Sequence, residues 1–132
     1  MTGVQTCALP ICFPVTIGSS LSNINIPEGI TAIGYHTFIN CSSLTSIHLP
    51  DRLKTIGYEA FRNCTSLSNI SFPESLSSIE SGVFYNTNLA NVNLPIGLKT
   101  LGSGSFSFCQ NLASITFPPD IVTGKQIGRA HV

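Results

Sequence analysis

Apolar residues recur along this chain at one fixed step. Leu21, Leu44, Leu67, Leu89 and Leu112 form one series; Ile24, Ile47, Ile70, Val92 and Ile115 a second; Phe38, Phe61, Phe84 and Phe106 a third. Pro27, Pro50, Pro73, Pro95 and Pro118 punctuate them at intervals of 23, 23, 22 and 23 residues. The clearest copy runs from Leu53 to Pro73, LKTIGYEAFRNCTSLSNISFP. The single short interval comes from one residue lost between Phe84 and Leu89, which places the slip in a turn. Self-similarity at such a period is the signature of a solenoid, in which each repeat buries its apolar face against its neighbours.

Within a repeat the pattern predicts the elements. In the segment Leu44 to Leu49, Ile47 and Leu49 alternate with Ser46 and His48, the period of a half-buried strand. A proline follows and ends it, having no N–H for a ladder. Leu53 and Ile56 then supply the opposite wall. Gly34, Gly57 and Gly102 mark a place where a turn conformation is expected, although Glu80 stands there in the third repeat. Ala60–Phe61, with Thr37–Phe38, Val83–Phe84 and Ser105–Phe106 elsewhere, brings an aromatic ring inward from a short helical turn. The expected fold is a β-rich solenoid with short helical turns and about five stacked rungs of about 23 residues. At ~4.8 Å per rung this makes a rod roughly 20–25 Å long.

The pattern A-F-x-x-C-x-x-L-x-x-I, read at Ala60, Phe61, Cys64, Leu67 and Ile70, resembles the BspA-like, Treponema pallidum-type leucine-rich repeat. The resemblance covers residues 13–125. The departures are Thr87 in place of cysteine and the deletion beside it. Membership implies a leucine-rich-repeat solenoid from a large cell-surface or secreted protein of bacteria or protozoa. It also implies a role in adhesion to host-matrix or partner-cell proteins.

The ends follow no such pattern. Met1–Ile11 (MTGVQTCALPI) and Gln126–Val132 (QIGRAHV) resemble the conceptual translation of sequencing-library adapters, with Cys12 at the junction. Met1–Ile11 also lacks the Lys or Arg that a secretory signal requires. The expected organisation is therefore residues 1–12 adapter-derived, 13–125 an internal solenoid fragment of a longer protein, and 126–132 adapter-derived.

Composition narrows the function. Charged residues are 9% of the 132, against roughly 25% in typical soluble domains, and the formal net charge is zero. A basic face for nucleic acid or anionic lipid is not available from six Lys and Arg balanced by six Asp and Glu. No apolar run reaches the ~20 residues of a membrane span.

Candidate chemistry is sparse. Apart from Cys7 and Cys12, the cysteines Cys41, Cys64 and Cys109 share one repeat position and read as buried, inert thiols. Parallel side chains on adjacent rungs suit a disulfide poorly, and no Cys-x-x-Cys indicates zinc. His131 lies in the C-terminal string, while His36 and His48 fall on different faces, which disfavours a dyad or shared metal. Glu28, Asp51, Glu59, Glu74, Glu80 and Asp120 read as solvated turn residues. Asn40-Cys-Ser, Asn63-Cys-Thr and Asn69-Ile-Ser match the glycosylation sequon. Asn40 and Asn63 recur at one position, where an amide would satisfy turn backbone groups. No nucleophile–base pair or phosphate-binding loop is present, so no catalytic residue, metal or cofactor is expected.

The remaining candidate is the outward side of the strand series: Asn23 and Asn25, Ser46 and His48, Asn69 and Ser71, Asn91 and Asn93, Ser114 and Thr116. This is a flat, uncharged hydrogen-bonding stripe without aromatics for stacking sugars or bases, suited to a polypeptide partner. The rival readings are a structural spacer and a carrier region for an enzyme domain elsewhere in the longer protein.

Overall fold

The computed structural model describes residues 4–5, 11–12, 21–119 and 121–123. The strands, in chain order, are β1 (Val4–Gln5), β2 (Ile11–Cys12), β3 (Asn23–Asn25), β4 (Ala32–Ile33), β5 (Ser46–His48) and β6 (Thr55–Ile56). They continue with β7 (Ser78–Ile79), β8 (Asn91–Asn93), β9 (Thr100–Leu101), β10 (Ser114–Thr116) and β11 (Val122–Thr123). All pairings are parallel and join equivalent positions of successive repeats. Ile33 faces Ile56, Ile56 faces Ile79 and Ile79 faces Leu101 in a sheet ordered β11-β9-β7-β6-β4-β2. The other wall carries the alternating strands as two separate ladders, β1-β3-β5 and β10-β8. Val4–Gln5 and Ile11–Cys12, inside the N-terminal string, thus pair with β3 and β4. The other residues of both terminal strings, with Cys7, Asp120 and His131, lie outside the described residues.

Between the walls sits one continuous core. Phe38, Phe61, Phe84 and Phe106 are fully buried and form a column, with successive centroids 5.4, 5.6 and 5.6 Å apart. Leu21, Leu44, Leu67 and Leu89 are buried beside them, whereas Leu112, Ile70 and Ile115 are only partly buried.

The segment bearing each phenylalanine is a run of turns, and no helix forms among the described residues. Thr37 N–H donates to Gly34 O and Cys41 N–H to Phe38 O, three residues back. Ile39 N–H likewise stays local, on His36 O, but the donors between turn away: Phe38 N–H reaches Ala60 O at 2.9 Å and Asn40 N–H reaches Arg62 O at 2.8 Å. Stacking takes the donors that a helix would spend on its own carbonyls. Left-handed residues also interrupt each turn, at His36 and Asn40, Glu59 and Asn63, Gly82 and Asn86, and Gly104 and Phe108.

The expected turn glycines serve another purpose. Gly34, Gly57 and Gly102 are absent from the left-handed set. A Cβ on Gly57 would stand 2.8 Å from Tyr35 N, and one on Gly102 2.3 Å from Ser81 N. Gly57 and Gly102 thus let adjacent rungs approach. Glu80, at the equivalent place in the third repeat, instead turns its carboxylate back to accept Tyr58 N–H at 3.1 Å.

Candidate functional site

Strands β3, β5, β8 and β10 hold the outward stripe. Ile24, Ile47 and Val92 point inward from their centres, so the pleat forces their neighbours out. All ten stripe residues are exposed: Asn23, Asn25, Ser46, His48, Asn69, Ser71, Asn91, Asn93, Ser114 and Thr116. Bonds between rungs fix several rotamers. Ser46 Oγ donates to Asn23 Oδ1 at 2.6 Å, and Ser114 Oγ to Asn91 Oδ1 at 2.7 Å. His48 Nε2 lies 3.1 Å from Glu28 Oε2. The Asp51 backbone N–H and then His48 hold the Glu28 carboxyl below its usual 4.5.

The stripe is not continuous. Residues 69–71 form no strand, and residues 69–72 make no backbone hydrogen bond to either neighbouring rung. The ladder lapses there, and a groove of about 710 Å³ opens over β3, β5 and residues 69–73. Its floor includes Ile47, Leu49, Ile70 and Phe72, and its rim includes Asn23, Ser46, His48 and Ser71. The signal in the sequence was the short repeat that follows; Phe72 stands where Ile26, Leu49 and Leu94 do, but so does Phe117, after a strand that still pairs. The Phe72 ring meets Phe84 edge-on at 5.8 Å and stays partly exposed.

On the turn edge, His36 Nε2 lies 3.1 Å from Glu59 Oε1, while Arg62 bonds Glu59 Oε2 and stacks 4.3 Å above the Tyr85 ring. Burial raises the pKa of the Glu59 carboxyl, but hydrogen bonds from Arg62 and then His36 outweigh it, leaving a value below 4.5. Glu59 is therefore a shielded hub and not the solvated turn acid expected, its side chain only 13% exposed. His36 and His48 engage different acids on different edges, so no dyad forms. Tyr35, Tyr58 and Phe108 protrude along this turn edge. The signal for the two tyrosines was their recurrence directly after Gly34 and Gly57.

The asparagine position behaves differently from expectation as well. Asn63 Nδ2 donates to Asn40 Oδ1 at 2.8 Å and Asn86 Nδ2 to Asn63 Oδ1 at 3.0 Å. These amides bond one another, not the turn backbone, because left-handed backbone at each rung aligns them. Cys41, Cys64 and Cys109 are free and buried. Cys64 Sγ bonds Phe38 O at 3.2 Å, and Cys109 Sγ bonds Phe84 O at 3.0 Å. Contact with Cys41 and burial push the Cys64 thiol up, burial pushes Cys109 up, and the hydrogen bond with Cys64 draws Cys41 down. Thiolate chemistry is thus disfavoured at Cys64 and Cys109. Among the described residues no cluster of three or more His, Cys, Asp or Glu could hold a metal, and no helix is long and apolar enough to cross a membrane.

Comparison with known proteins agrees with this architecture. Residues 15–127 match the BspA type leucine rich repeat region, in six copies. A leucine-rich repeat protein from Bacteroides ovatus superposes with a TM-score of 0.76 at 30% identity, over 80% of this chain and 28% of that one. The Treponema pallidum leucine rich repeat protein gives 0.70 at 32%, over 80% and 61%. A leucine rich cell surface protein from Faecalibacterium prausnitzii gives 0.73 at 32%, over 80% and 29%. This chain therefore spans less than two thirds of each. No curated protein matches it. The repeat, its register and these likenesses place the chain in the BspA-type leucine-rich repeat family.

Proposed function

We propose that the chain is a non-catalytic, adhesion-type protein-binding module of a larger cell-surface or secreted protein, and that the strand stripe is its contact face. The observation that carries this reading is the groove at the lapsed third rung. There a polar stripe of little charge gains an apolar floor and a backbone segment with unspent hydrogen-bonding groups. An extended polypeptide can use both at once, through main-chain bonds and alternate side chains. A surface location draws support from the Faecalibacterium relative, a cell surface protein.

The test uses the whole chain and an immobilised extracellular-matrix extract, read by surface plasmon resonance. Saturable binding that depends little on salt is expected, since the stripe carries little charge. Replacing Asn69, Ser71, Ser46 and Asn23 together by Glu should abolish it. Unchanged binding of that variant would leave the spacer reading in its place.

A further inference from the structure

The repeat that lost a residue carries a second concavity, away from the strand stripe. Elsewhere two residues separate the cysteine position from the following leucine: Thr65 and Ser66, or Gln110 and Asn111. Between Thr87 and Leu89 stands only Asn88. Asn111 Nδ2 donates to Asn88 Oδ1 at 3.0 Å, which aligns Asn88 with Asn111 and leaves nothing between Thr65 and Gln110. The gap spans two rung spacings, roughly 10 Å. It forms a pocket of about 180 Å³ lined by Thr65, Asn86, Thr87, Asn88, Phe108 and Gln110.

Phe108 is the second irregularity at the same place. It occupies the left-handed position that holds Asn40, Asn63 and Asn86 in the other repeats, with φ of 62°. A side chain branching to a ring is costly there, and 54% of the residue is exposed. Its one ring contact is Tyr85, at 5.0 Å. The fold gains little from this choice, which leaves an exposed ring at the rim of the pocket.

The other walls are polar and uncharged. Asn86 Nδ2 and Asn88 Oδ1 are spent within the asparagine ladders, which leaves Asn86 Oδ1 and Asn88 Nδ2 unspent. The Thr65 hydroxyl and the Gln110 amide make no hydrogen bond to the described residues. Amides and a hydroxyl beside a ring match a ligand bearing several hydroxyls and one apolar face. No lining residue is charged, which disfavours anions, and no carboxylate is present to hold a hard cation. The volume is below the ~300 Å³ of pockets for larger ligands. We propose that this pocket binds a single neutral pyranose unit, stacked on Phe108 and hydrogen-bonded by Asn86, Asn88, Thr65 and Gln110.

The test is an NMR titration of the labelled full chain with glucose, galactose, mannose and N-acetylglucosamine in turn. Saturable shifts at Asn86, Asn88 and Gln110 with at least one sugar are expected. Phe108→Asn, which restores the residue of the other repeats and should fold at least as well, should weaken binding roughly tenfold or more. A serine inserted between Thr87 and Asn88 should abolish it. Ile96→Ser, on a different turn, should bind as the parent does. An oligosaccharide ending in the preferred sugar that binds at least as well marks a glycan as the source; weaker binding marks the free sugar. Absence of saturable shifts with all four sugars would overturn the proposal. So would equal binding by Phe108→Asn, or shifts produced only by an uncharged Gly/Ser peptide.

Discussion

Phe61 and Phe84 stack with ring centroids 5.6 Å apart and planes 3° from parallel. Phe61 has a second ring neighbour, Phe38, at 5.4 Å, and none of the three is exposed. Both distances fall within the ~4.5–7 Å range of favourable aromatic pairs.

Phe61→Ala should therefore cost roughly 3–5 kcal/mol, because the cavity would open in a column held on both sides. Urea unfolding measures it. A loss under about 1 kcal/mol would mean that the ring does not fill the core.

Gly102→Ala and Gly29→Ala form a matched pair. The first places a Cβ 2.3 Å from Ser81 N, the second meets nothing within 4 Å. The first should destabilise by several kcal/mol (roughly 2–4) through forced separation of two rungs, while the second should change stability by less than about 1 kcal/mol. Thermal denaturation of both variants compares them directly.

Glu59 gives a pH dependence with a definite sign. Its folded pKa is depressed below 4.5, so its contribution is present above that value and lost as pH falls through the folded pKa. Glu59→Gln should lower the urea midpoint at pH 7, with the difference from the parent shrinking below about pH 4. A difference that grows in acid would contradict the ion pairing with Arg62.

The three buried thiols should be silent in the native state. Alkylation of Cys41, Cys64 and Cys109 by iodoacetamide should proceed only as fast as the chain opens, and rise sharply in urea. Rapid labelling of any one in buffer would show that its rung is open.

Much of this was legible in the chain. The 23-residue step of Leu, Ile, Phe and Pro determined a stacked solenoid, because a strand this short buries its apolar face only against a copy of itself. The same alternation determined that Asn23, Ser46, Asn91 and Ser114 face outward. A side-chain period of two leaves them no other direction.

What only the tertiary structure decided are the relations between rungs. Gly57 and Gly102 are spared a side chain by the neighbouring backbone, which no local φ preference announces. Asn40, Asn63 and Asn86 bond one another because left-handed turns stack in register, and Glu59 becomes a hub because Arg62 of its own turn and His36 of the neighbouring rung converge on it. The missing residue beside Asn88 was visible in the spacing, but its effect was not. A deletion in a stack can be absorbed by the turn or left as a gap, and the balance depends on packing against the rungs on either side. The same holds for the lapse at residues 69–71, where no strand forms in the rung before the lost residue. Sequence periodicity sets what each rung must bury, and contact between rungs sets where the repetition fails and a surface is left for binding.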